Sequence, residues 1–106
     1  MNPRIRTILA ELRSRLEGLY GDRLVKLILY GSQARGDAES DSDIDVLVVL
    51  KGPVRVGEEI ERGSTVTAPL SLEHNVVISC VYMPEDRYRQ DRIPLLRNIE
   101  AEGVPV

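Results

Sequence analysis

Phenylalanine and tryptophan are absent from this 106-residue chain, tyrosine occurs only four times, and there is one cysteine. Without large aromatics the core has to be built from Leu, Ile and Val side chains. Cys80 alone rules out an internal disulfide, and free-thiol usage of this kind belongs to a reducing compartment, so the expected location is the cytoplasm. Long hydrophobic runs are missing too: the longest, Val46 to Leu50, is far short of the ~20 residues of a membrane span. The opening MNPRIRTILAELRSRLEGLY carries charges throughout and has no signal-peptide core. Excess positive charge is lacking as well, since the formal net charge is −3. That excludes a general nucleic-acid binder held by phosphate contacts, although 14 Lys and Arg leave room for a local positive site. At this length one domain spanning residues 1–106 is expected.

What is present is strongly patterned. Asn2-Pro3 reads as a helix N-cap followed by proline at the first helical position. Ile5, Ile8, Leu9, Leu12, Leu16 and Leu19 then recur every three or four residues, with Arg4, Arg6, Arg13 and Arg15 on the opposite, solvated side. The helix is expected to end between Gly18 and Gly21. Leu24 to Tyr30 and Ile44 to Leu50 read as strands, joined by a polar connector with room for one helical turn. Val56 to Leu72 is weakly helical, interrupted by Gly57 and Gly63 and kinked or ended by Pro69. Val76 to Tyr82 is a third, β-branched strand; Pro84 opens a short helix, and Pro94 to Glu102 is a last helix stopped by Gly103, with Val104 to Val106 extended. Helix, strand, strand, helix, strand, helix makes a small mixed α/β (α+β) sheet covered by helices.

The informative stretch is "GSQARGDAESDSDIDVLVVL", Gly31 to Leu50. Side chains at i and i+2 of a strand share a face, so Asp43 and Asp45 project together while Ile44 and Val46 point into the core. Two adjacent carboxylates repel, and a divalent cation relieves that cost. Oxygen donors without His or Cys suit Mg²⁺, which prefers one or two carboxylates together with water and substrate phosphates. Gly31 and Ser32 supply the complementary half: a glycine leaving a strand lets backbone N–H groups approach a phosphate, the Ser32 hydroxyl can donate, and Arg35 can add a charge-assisted bond. Asp41-Ser42-Asp43-Ile44-Asp45 starts like a calcium loop, but Val46 and Gly52 stand where that loop needs Gly and Glu. GSQARG lacks the Lys-Ser/Thr ending of a Walker loop. A solvated acidic turn leaves Asp45, inside the apolar run, without an explanation.

Gly-Ser followed by Asp-x-Asp, set as LYGSQARGDAESDSDIDVLVVL, resembles the signature of the polymerase-β-type nucleotidyltransferases, and the short chain resembles the minimal nucleotidyltransferases of prokaryotes. The match is specific from Leu27 to Leu50 and looser over the rest, PLLRNIEAEGVPV included. The resemblance implies Mg²⁺ on Asp43 and Asp45, which are then also the catalytic pair. It implies a nucleoside triphosphate, ATP, on Gly31 and Ser32, and transfer of a nucleoside monophosphate to an acceptor hydroxyl. Gln33 stands where many members carry Arg. The family's third carboxylate, on a later strand, has no counterpart: His74 to Met83 contains no Asp or Glu, so Asn75, Val77 or Ser79 takes its place. Glu73 just before that strand, and Glu85 and Asp86 just after it, reach the site only with an unusual geometry and otherwise cap helices or face solvent. His74 is a candidate base with a structural alternative; Cys80 reads as a small core residue and Tyr30 as packing beside the site.

A chain this size has little room for an acceptor platform, so a second copy or a second protein is expected to provide it. The resemblance names a partner, an all-helical HEPN toxin that such a transferase neutralises by binding or by attaching AMP. Two functions remain in view: a Mg²⁺-dependent transferase acting on a protein hydroxyl, and a nucleotide-binding module that neutralises by contact alone. A small-molecule acceptor comes third, for want of a second domain.

Overall fold

The computed structural model describes residues 2–39 and 42–106, which leaves Asp41 of the discarded calcium-loop reading outside the described residues. Asn2 caps the first helix as its sequence predicts, its side chain accepting from the Arg4 amide at 2.7 Å. Helix α1 (Pro3–Tyr20) leads through a 3-10 turn (Gly21–Arg23) into strand β1 (Leu24–Tyr30). One helical turn, α2 (Gly31–Arg35), and a polar connector precede β2 (Ile44–Leu50). Then come α3 (Val56–His74), β3 (Ile78–Pro84), α4 (Glu85–Gln90), α5 (Pro94–Glu102) and β4 (Val104–Pro105).

The four strands form one mixed sheet in the order β3-β2-β1-β4. β2 runs antiparallel to β1 and parallel to β3, with α3 as the crossover, and β4 is antiparallel to β1. Helices cover both faces of β2, which is why Val46 to Leu50 are all fully buried and read as a continuous apolar run. Leu27, Leu29, Ile44, Val46, Val48 and Leu50 face α1 and α3, whereas Ile28, Leu47, Val49 and Met83 face Leu96 and Ile99 of α5. Strand alternation thus assigns Asp43 and Asp45 to the α5 side, at the open end of the sheet.

Three expectations shift by a few residues, each for a visible reason. Asn75 takes the left-handed conformation (φ 50°) and caps α3, with the Val76 amide donating to the Ser71 carbonyl at 3.1 Å. Val76 is therefore spent on the cap, β3 begins two residues later, and His74 is the last residue of α3 instead of a strand entrance. Pro69 does not end α3, because Val66 and Leu70 on either side of it are buried and hold the helix to the core. At the end of α1 it is Tyr20, 6% exposed, that enters the core, while Leu19 is exposed.

Candidate active site at the mouth of β1 and β2

The site forms where β1 ends and β2 begins. Asp45 is held in the ladder on both sides, paired with Tyr30 of β1 and with Ser79 of β3. Asp43 stands just ahead of the strand and is exposed; Asp45 is half-buried. Burial first, and the Asp43 charge second, raise the Asp45 carboxyl above the usual carboxylate range. Burial, reinforced by Asp45, likewise raises the Tyr30 phenol, which stays a neutral neighbour of the pair.

Gly31 is the residue that brings the two halves together. Its φ is +74°, and a Cβ built on it would lie 2.7 Å from Asp45 Oδ2, so only glycine allows the turn to lean on the carboxylate. Ser32 follows in the first turn of α2, its hydroxyl without a hydrogen-bond partner among the described residues. Gly36 closes α2 in the left-handed conformation, its amide donating to the Ser32 carbonyl at 3.0 Å. Gly31, Ser32, Asp43 and Asp45 thus share one mouth. Arg35 sits at the far end of α2, where its guanidinium pairs with Asp37 at 3.1 Å and Glu102 at 3.0 Å. Gln33 Nε2 donates to the Ser42 carbonyl at 3.2 Å.

Among the described residues no cation pairs with Asp43 or Asp45. Two carboxylates on one strand face, left without a counter-charge, form an all-oxygen donor set that fits a hard divalent ion such as Mg²⁺. The register answers which residue stands in place of a third carboxylate: Ser79, exposed, lies opposite Asp45, and Val77, 57% exposed, lies one step earlier with its carbonyl bonded to the Ile44 amide at 2.9 Å. Glu85 and Asp86 follow the other end of β3, where Glu85 pairs with Arg89 at 2.7 Å.

His74 and Glu73 are engaged elsewhere. His74 Nε2 is 3.1 Å from Glu11, and Arg15 reaches Glu73 at 3.4 Å and Glu11 at 4.0 Å. Glu11, Glu73 and His74 bring their ligand atoms within 4.8 Å of one another, but both carboxylates are already engaged by the Arg15 guanidinium, making the group a clasp between α1 and α3. Cys80 is half-buried against the core, and burial raises its thiol to about 11, so it carries no thiolate at neutral pH. A cavity of about 930 Å³ lies along β1, β4 and α5, between Lys26, Tyr88 and Ile99, and includes neither aspartate.

A feature hidden from sequence reasoning is Glu59, 3% exposed, whose carboxylate accepts from Arg23 at 2.9 Å, Arg62 at 2.6 Å and the Tyr20 hydroxyl at 3.3 Å. It ties α3 to the turn before β1 and lies at the opposite end of β2 from the aspartates, so it serves the fold. Arg62 at i+3 was its only local signal.

The mixed four-strand sheet covered by helices is the fold of nucleotidyltransferase structures. The family description "Nucleotidyltransferase domain" matches residues 5–102, and this chain belongs to that family. The candidate protein adenylyltransferase MJ0604 of Methanocaldococcus jannaschii is 34% identical over 94 residues, covering 88% of each chain. Among solved structures, one described as a minimal nucleotidyltransferase superposes with a TM-score of 0.61 at 23% identity, over 95% of this chain and 94% of the other. A toxin-antitoxin structure with AMP-PNP superposes with a TM-score of 0.63 at 18% identity, over 89% of this chain and 68% of that one. These superpositions show the same mixed fold. No helix among the described residues is long and apolar enough to cross a membrane.

Proposed function

We propose that this protein is a Mg²⁺-dependent nucleotidyltransferase that moves AMP from ATP onto a hydroxyl of a protein partner, as an antitoxin does to its toxin. The observation that carries the reading is the approach of Gly31 to Asp45 Oδ2, which joins a phosphate-binding turn to a metal-binding pair. In this reading Asp43 and Asp45 hold the ion and are the catalytic pair, and the Gly31 and Ser32 amides with the Ser32 hydroxyl receive the triphosphate. When bound, Mg²⁺ neutralises the two carboxylates and polarises the phosphate under attack. The acceptor oxygen forms its bond to the α-phosphorus as the bond to pyrophosphate breaks. Arg35 joins the phosphates only by exchanging Asp37 and Glu102 for them, a trade of one anion for another on an exposed side chain. Tyr30, kept protonated, is a neutral donor beside Asp45.

Similarity to adenylyltransferase candidates supports the nucleotide and the protein acceptor, and similarity to a toxin-antitoxin structure supports the antitoxin role. The resemblance to minimal nucleotidyltransferases supplies a HEPN-type helical toxin as the partner, with a second copy of this chain as the other source of an acceptor platform. The whole chain forms one cytoplasmic domain in this proposal. A second reading, neutralisation by contact alone with a retained nucleotide pocket, is favoured by one observation: Ser79 and not a carboxylate lies opposite Asp45, so no residue on β3 can deprotonate the acceptor.

The test is the intact mass of the partner encoded beside this gene, co-expressed with the wild type or with Asp43→Asn, Asp45→Asn. A partner heavier by AMP only with the wild type supports the transferase. Equal masses with the complex formed in both samples leave the contact reading.

A further inference from the structure

We propose that Gln33 is the positioning residue for Asp43. The inference rests on the reading of Asp43 and Asp45 as metal ligands and concerns how the pair is kept at a fixed separation. The two aspartates are not held alike. Asp45 lies within the ladder, between Tyr30 and Ser79. The pairing of β1 with β2 stops at Tyr30↔Asp45, because the next residue, Gly31, turns away into α2. Ser42 and Asp43 therefore have β3 on one side, through the Ile44 amide on the Val77 carbonyl, and no strand on the other.

Gln33 reaches this segment from α2. Its Nε2 donates to the Ser42 carbonyl at 3.2 Å across a half-buried gap, so a side chain pins the backbone just ahead of Asp43 where the pairing with β1 has ended. The donor sits on a short helix whose start carries Gly31 and Ser32, so one bond ties the phosphate-binding turn to the metal-binding strand. Ser42 is a good anchor, since the connector closes on it twice: its amide donates to the Glu39 carbonyl at 3.1 Å, and its hydroxyl accepts from the Glu39 amide at 2.9 Å. The Asp43 carboxylate has no hydrogen bond of its own among the described residues, so its position is set entirely by this backbone. Carboxylates meant for one ion have to be placed within a few tenths of an ångström before the ion arrives.

The probe is Mn²⁺ alone, titrated without nucleotide and followed by electron paramagnetic resonance. Gln33→Met keeps length and volume but cannot donate. It is expected to raise the half-saturating Mn²⁺ concentration about tenfold, the equivalent of one lost hydrogen bond, with little change in melting temperature. Gln33→Arg restores a donor, and its positive charge can only oppose Mn²⁺ binding, so recovery of the wild-type half-saturation is attributable to the hydrogen bond. Amide exchange is expected to accelerate at Ser42 and Asp43 in Gln33→Met and to stay unchanged from Val46 to Leu50. Wild-type Mn²⁺ affinity in Gln33→Met, or amide exchange at Ser42 and Asp43 unchanged in that variant, overturns the role of Gln33. Mn²⁺ binding that survives Asp43→Asn with Asp45→Asn overturns the reading of the aspartates, and the Gln33 role with it.

Discussion

Replacing Gly31 and Gly36 by alanine, one at a time, separates the cost of a backbone conformation from the cost of a displaced carboxylate. Both glycines have positive φ, +74° and +82°, which an L side chain adopts at about 1–2 kcal/mol. Both variants are thus expected to melt lower, by about 4–8 °C per kcal/mol for a domain near this size. Their surroundings differ. A Cβ at position 36 meets nothing within 4 Å, whereas one at position 31 lies 2.7 Å from Asp45 Oδ2, 3.5 Å from its Cγ and 3.6 Å from its Cβ. The carboxylate oxygen has to retreat by about 0.7 Å to reach an ordinary 3.4 Å contact. Turning the end of one aspartate costs folding little. It costs metal binding much more, because ligand distances tolerate about 0.2 Å, and a misplacement near 1 Å in a site costs about 100-fold. Gly31→Ala is therefore expected to weaken Mn²⁺ binding 10- to 100-fold, by about that measure, and Gly36→Ala to leave it near the wild-type value. Thermal melting and the Mn²⁺ titration, run on the same samples, read the two effects apart. Equal losses of binding in both variants, or wild-type binding in Gly31→Ala, would refute the idea that Gly31 is there to make room for Asp45.

A Cβ at Gly63 would lie 1.8 Å from the Tyr82 hydroxyl, so Gly63→Ala is expected to cost about 1–3 kcal/mol in urea denaturation. Tyr82→Phe added to it should recover part of that loss, and additive losses would place the strain elsewhere. Glu59→Gln weakens two charge-assisted bonds at a buried carboxylate and is expected to lower stability by about 2 kcal/mol with no change in Mn²⁺ titration. Burial and Glu59 push the Tyr20 phenol up to about 12, so it ionises later in the folded than in the unfolded chain. The unfolded state then binds fewer protons above pH 10, and Tyr20 by itself should lower stability between pH 10 and 12 by up to about 1.4 kcal/mol per pH unit, in addition to the raised Tyr30 and Cys80, so denaturation curves should show a decline that is reduced but not abolished in Tyr20→Phe. Ser79→Asp puts a third carboxylate opposite Asp45 and is expected to tighten Mn²⁺ binding severalfold while lowering the melting point of the metal-free protein; unchanged affinity would mean that Ser79 does not face the pair.

The parts of this protein that could be read from its sequence are those whose determinants lie close together along the chain. β1 and β2 were legible to the residue, because apolar runs end on Gly31-Ser32 and on Lys51-Gly52-Pro53. Asn2-Pro3 announced α1 for the same local reason. The candidate site was legible because Gly-Ser and Asp-x-Asp sit on consecutive strands, and an antiparallel pair must bring the end of one to the start of the next. β3 slipped by two residues because the left-handed Asn75 takes Val76 for a helix cap, a conformational choice that β-branched propensity does not register. Glu59 was invisible, since its partner Arg23 lies 36 residues away and only the packing of α3 on α1 brings them together. Gln33 looked like a substitution in a phosphate loop. Its role emerges only once its amide is seen on the Ser42 carbonyl, nine residues along the chain.

The two functional readings make different demands on the mouth of β1 and β2, and the structure weighs between them. Neutralisation by surface contact requires the fold alone. It has no need of a left-handed residue pressed on a carboxylate, nor of two like charges on one strand face, and each of those features works against folding. Asp45 is half-buried with its carboxyl raised by that burial and by Asp43, so the metal-free site is a locally frustrated one. In the transferase reading, such frustration, with Gly31 and Gln33 both arranged around it, is the state of the site before a cation arrives. Retention of metal and triphosphate is thus the part of the proposal on which the geometry bears most directly. In the transferase reading the step that Ser79 leaves open is deprotonation of the acceptor, because β3 offers no carboxylate opposite Asp45.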